Sequence, residues 1–104
     1  MNNAALFIRL DAKPGKEKEV EQFLNQRLST VENDTRTITW YALKLGPSVY
    51  GIFHTFSDEA GRQVHLTGDV AKNFTAKVSE LLSKPPSLEK ADILAAKVPE
   101  MEHH

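Results

Sequence analysis

The chain has 104 residues, a net charge of −1, 26% charged and 40% hydrophobic residues, and no cysteine. Length and balance suit a single globular domain with a modest core. Lys and Arg are scattered rather than striped, which excludes a nucleic-acid binder. The missing cysteines exclude disulfides, thiolate catalysis and cysteine-ligated metals, and no apolar run approaches the ~20 residues of a membrane span.

Ala4 to Asp11, AALFIRLD, reads as the first strand, with Leu6, Ile8 and Leu10 in one phase and Ala5, Phe7 and Arg9 in the other. Lys13-Pro14-Gly15 turns the chain. A helix is expected from Lys16 to Val31, with Val20, Phe23, Leu24, Leu28 and Val31 as its apolar stripe. Arg36 to Gly46, rich in Thr, Ile, Trp and Tyr, reads as the second strand. Gly46-Pro47-Ser48 makes a tight turn into a third strand, Val49 to Phe56.

Ser57 or Asp58 should cap the next helix, where an acceptor and acidic groups meet the positive helix end. That helix carries Ala60, Val64 and Leu66, and Gly68 either kinks it or divides it from a stretch over Asp69 to Leu82. Lys84-Pro85-Pro86 stops helical structure. Leu88 to Val98 is expected to be the last strand. The order β-α-β-β-α-β predicts a ferredoxin-like α+β sandwich, an antiparallel sheet with helices on one face.

Both phases of the middle strands are apolar. Tyr50, Ile52, His54 and Phe56 alternate with Val49, Gly51, Phe53 and Thr55, and Trp40 lies one phase away from Tyr41. Helices can cover one face only. The other face would be a large exposed patch on a monomer, so a homodimer packing two sheets together is expected.

These features resemble a known family. The Trp40 strand, YGIFHTFSDEAGRQVHL followed by GDVAKNF, and the closing ADILAAKVP are similar to the antibiotic biosynthesis monooxygenase-like family of the dimeric α+β barrel superfamily. The resemblance spans nearly the whole chain. It implies a ferredoxin-like protomer, a homodimer whose sheets form a barrel, and a pocket between sheet and helices. It also implies oxidation of an aromatic phenol or quinol by O2, with neither metal nor flavin.

Such chemistry needs a base to deprotonate the phenol, an apolar slot for flat rings, and a cation or donor beside the phenolate. His65 and His54 are the candidate bases. Trp40, Tyr50, Phe53 and Phe56 are candidates for the aromatic wall, and Arg62 for the cation. His54, Asp58, Glu59 and His65 match no compact metal motif, so no metal and no cofactor are expected. His103 and His104, in a tail expected over 99–104, carry no functional argument. No signal peptide is legible in MNNAALFIRLDAK, so a cytoplasmic protein is expected. The alternative to an enzyme is a non-catalytic dimeric module, ligand-binding or stress-related.

Overall fold

The computed structural model describes residues 4–32, 37–67 and 69–97, apart from the side chains of 37–38, 65–67 and 69–71. Its elements are β1 (Ala4–Asp11), α1 (Glu17–Val31), β2 (Thr37–Gly46), β3 (Val49–Phe56), α2 (Glu59–Thr67), α3 (Asp69–Ser79) and β4 (Ser87–Asp92). The strands form one sheet in the order β2-β3-β1-β4, with every neighbouring pair antiparallel. This is the ferredoxin-like α+β arrangement, its second helical region divided into α2 and α3.

Local chemistry explains the boundaries. Lys13-Pro14-Gly15-Lys16 closes a turn through Lys16 N–H to the Lys13 carbonyl (2.9 Å), with Gly15 at φ 85°. Proline at the second turn position and a left-handed glycine at the third are what a type II turn requires. The Gly15 N–H donates to Glu17 Oε1, and the Ser48 hydroxyl donates to Glu17 Oε2 at 2.7 Å. The start of α1 is thereby tied to the β2–β3 hairpin. At α2, Asp58 is the cap: its carboxylate accepts the Gly61 N–H at 2.8 Å.

The side-chain phases separate cleanly. Tyr50, Ile52, His54 and Phe56 are buried, opposite Leu10, Ile8, Leu6 and Ala4. This is the helix face. Ile8, Leu10, Tyr50 and Ile52 share a core with Val20 and Leu24 of α1 and Phe74 and Val78 of α3. The other face carries Phe7 and Phe53, which pair with each other, and Tyr41, which pairs with Phe53. Tyr41 is half exposed, and among the described residues no helix packs on that face.

Three expectations are corrected. Leu28 does not join the α1 stripe; it is 45% exposed, and the inward line runs Val20, Leu24, Arg27, Val31. The helix expected to Leu82 ends at Ser79. Beyond it Leu82 bridges Ala12, and the Ser83 N–H donates to the Asp11 carbonyl, so the segment extends the sheet. The last strand is shorter than Leu88 to Val98 and covers Ser87–Asp92, an exposed edge paired only with β1. Residues 98–104, with His103 and His104, lie outside the described residues.

Candidate functional site

Sheet and helices do not close completely. A cavity of about 450 Å³ remains between the helix face of the sheet and helices α1 and α3. That volume falls within the range of small-molecule sites, roughly 300–1,000 Å³. Leu6, Ile8 and Ile52 form an aliphatic floor. Beside them stand Trp40 and His54, directly opposite one another on β2 and β3. Val31 and Phe74 form the facing wall, and Leu88 on edge strand β4 closes one side.

His54 is the polar group in that floor. It is 1% exposed, and its ring lies 4.8 Å from the Phe56 ring at a tilt of 57°. Strand alternation accounts for its position: it shares the inward phase with Ile52 and Phe56, and Trp40 meets it across the ladder. An imidazole and an indole thus share one wall of the cavity, beside its aliphatic floor.

The residues named from sequence separate. Trp40 and His54 line the cavity together. The side chain of His65, on α2, lies outside the described residues. Phe56 is buried at the end of the sheet with Ala4 and Leu6, behind His54 rather than on the cavity surface. Phe53 points to the opposite face, because it is one residue out of phase with His54.

Tyr50 lies in the core and turns its hydroxyl toward α1. It donates to Glu21 Oε2 at 2.6 Å, and Lys44 Nζ lies 3.3 Å from the same oxygen. Burial, reinforced by that bond to Glu21, pushes the Tyr50 hydroxyl up to about 12. The Tyr50 bond in turn holds Glu21 below the usual carboxylate range, and the Ser48 hydroxyl does so for Glu17. These groups fasten α1 to the hairpin.

Arg62 is also structural in its surroundings. It is buried at the end of the sheet, where Nη1 donates to the carbonyls of Ala5 (3.0 Å) and Ala91 (2.8 Å). Nη2 pairs with Glu59.

The cations at the cavity are others. Arg27 on α1 and Lys72 on α3 both line it. The Arg27 guanidinium lies 5.0 Å from the centroid of the Phe74 ring. Burial lowers its pKa from the ordinary arginine value. Sequence reading missed both residues. The signal was present for Arg27, which sits at i+7 from Val20 and i−4 from Val31, a core position in a helical pattern.

No family model matches the chain, and neither does any curated protein. Solved structures do. A protein of unknown function from Nitrosomonas europaea is 48% identical, covering 97% of this chain and 98% of that one, at a TM-score of 0.88. The chain belongs to the family of that protein. A "putative antibiotic biosynthesis monooxygenase" from Caulobacter crescentus superimposes at a TM-score of 0.76 with 16% identity, covering 90% and 92% of the two chains. One of the same description from Bacteroides thetaiotaomicron gives 0.68 with 19% identity, covering 99% and 97%. The family therefore has the antibiotic biosynthesis monooxygenase-like fold. Among the described residues no helix is long and apolar enough to cross a membrane.

Proposed function

We propose that the protein is a cofactor-independent oxygenase of aromatic phenols or quinols, with His54 as the base and Trp40 as a wall of the site. The observation that carries this reading is the pairing of His54 with Trp40 beside the aliphatic floor of one cavity beneath the helices. A bound phenol would give its proton to the His54 imidazole. The phenolate then passes one electron to O2, and the radical pair joins through a new carbon–oxygen bond. The peroxide anion so formed takes the proton back from His54, and loss of water from the hydroperoxide, with the hydrogen of the same carbon, leaves a carbonyl. One oxygen atom enters the product, the other leaves as water, and the substrate is the reductant. The apolar floor favours flat rings and keeps water from the reactive intermediates.

The same proposal includes a second copy of the chain. Phe7, Tyr41, Leu43 and Phe53 give the open face an apolar surface larger in character than a solvated sheet face needs. A homodimer through this face would cover it and leave the cavity, on the other side of the sheet, accessible.

The test is oxygen uptake by metal-free protein across a panel of polycyclic phenols and quinols. Removing a general base lowers such a rate by about 10²–10⁴-fold, so His54→Gln should lose that much. Uptake unchanged in His54→Gln refutes the assignment. Ligand-induced thermal stabilisation with no uptake from any phenol would assign the cavity to a binding module instead.

A further inference from the structure

The cavity has a charge bias that an oxygenase of neutral quinols does not require. Arg27 and Lys72 reach it, and its lining among the described residues includes no Asp or Glu. Arg27 occupies a place on α1 where helical patterning puts an aliphatic residue, between Leu24 and Val31, both buried. A guanidinium there carries a desolvation cost that a leucine would avoid. Burial already lowers its pKa, so the charged form is held in a partly dry setting. Its guanidinium carbon lies 5.0 Å from the centroid of the Phe74 ring, a cation–π contact at the cavity wall. Lys72 is exposed and stands where the cavity meets solvent. Cations at the wall and mouth of a low-dielectric cavity concentrate anions there.

We propose that the ligand is a flat aromatic acid, its rings against Trp40 and Phe74 and its carboxylate at Arg27, with Lys72 as a second cation at the mouth. This rests on the reading of the cavity as a ligand site and goes beyond it by naming the charged group. Arginine suits the task because its planar fork can meet both carboxylate oxygens while its face stays on an aromatic ring. An acid group held at the α1 side would leave the far end of the ring system toward His54 and Trp40, on the sheet side. The carboxylate would then set which ring carbon meets the base.

The test is calorimetric titration of the full chain with 2-naphthoate and with its neutral isostere 2-naphthamide. Trp40 is the only tryptophan in the sequence, so its emission reports binding at this cavity. The naphthoate should bind about tenfold or more tighter, as expected for a hydrogen bond to a charged group in a partly buried site, and should change Trp40 emission. Arg27→Gln should abolish most of that preference, and Arg27→Lys should keep part of it. Lys72→Gln, at an exposed position where folding is not at stake, should reduce it and weaken its salt dependence. Equal binding of naphthoate and naphthamide overturns the charge assignment and leaves the cavity reading standing. Binding of neither overturns both. A naphthoate preference unchanged in both the Arg27 and Lys72 variants places the anion elsewhere and overturns the proposal.

Discussion

Arg62 is the residue whose assigned role the structure most changes, and its removal can be worked through. The side chain is 7% exposed, and Nη1 donates to one carbonyl on β1 and one on β4. Hydrogen bonds from a charged donor contribute about 1.5–3 kcal/mol each, so the two together set a ceiling of roughly 3–6 kcal/mol. Against this, Nε is buried with no hydrogen-bond partner among the described residues, a cost of about 1–3 kcal/mol. The acidic partners add little. Glu59 and Asp92 are 59% and 73% exposed, the latter at 3.7 Å, and such solvated pairs are worth about 0–1 kcal/mol. Arg62→Ala should therefore cost about 2–4 kcal/mol, once the packing of its stem is included. At about 4–8 °C per kcal/mol for a domain near this size, Tm should fall by roughly 10–25 °C. Glu59→Gln should shift it by only about a fifth of that. Both melts are read by circular dichroism at one protein concentration, because a dimer's Tm depends on it. An Arg62→Ala protein that melts within about 2 °C of the parent, yet loses affinity for aromatic ligands, would refute the clamp and return Arg62 to the site.

The Tyr50 hydroxyl, raised from 10.0 to about 12, makes an alkaline prediction. Its contribution to stability is complete below pH 10 and drains as pH rises through about 12, so Tyr50→Phe should melt lower than the parent at neutral pH and lose less on going to high pH. Glu17 and Glu21 predict the acid limb. Their folded-state pKa values are depressed, by the Ser48 and Tyr50 hydroxyls first, so their stabilisation is present above the ordinary glutamate value and is lost as pH falls through the depressed ones. The drop in Tm from about pH 7 to about pH 3 should be smaller in Ser48→Ala than in the parent; an equal drop would mean that the Ser48 bond is not what holds Glu17 down. The Phe53→Glu variant should sediment as a monomer where the parent sediments as a dimer, since a charge in the middle of an apolar interface is left desolvated and unpaired. A parent that is monomeric at micromolar concentration refutes the sheet-to-sheet dimer.

How far each feature could be read from sequence depends on whether a local signal set it. Pro14-Gly15, Pro47 and Pro85-Pro86 punctuate the chain, and the elements between them have clear periodicity, so element order and topology were legible. The inward phase of β3 was not. Ile52 and His54 are no more apolar than Val49 and Phe53, and the choice is made by where α1 and α3 dock, which is tertiary. Arg27 was hidden for a related reason. Leu28, next to it in sequence, also continues the i, i+4, i+8 spacing from Val20 and Leu24, and a leucine is the natural choice for a core. The structure rotates the stripe so that Leu28 meets solvent and Arg27 meets the cavity. The end of α3 had no breaker before Lys84. It stops at Ser79 because the backbone of the segment at Leu81–Ser83 bonds to Asp11, Ala12 and Lys13 instead. Trp40 and His54 could each be picked out as residue types, but their direct opposition depends on the β2–β3 register.

That register is where fold and proposed chemistry meet. A slip of one residue in β3 would send His54 to the open face and bring Phe53 and Thr55 beneath the helices. With both phases apolar, hydrophobicity opposes such a slip only weakly. Other contacts must hold it. The hairpin at Pro47-Ser48 fixes one end, where Ser48 accepts the Ala12 N–H at 2.8 Å through its carbonyl and binds Glu17 through its hydroxyl. Further along, the Phe7 ring lies across Gly51, 3.0 Å from where a Cβ would stand. Of the β3 residues only Gly51 leaves that space, since its neighbours all carry side chains. The glycine therefore marks the register from the open face, one residue before Ile52 and three before His54. The apolar open face, proposed as the dimer interface, and the cavity on its reverse are kept in phase by one strand, and the packing of Phe7 on Gly51, a contact between β1 and β3, helps hold His54 on the helix face.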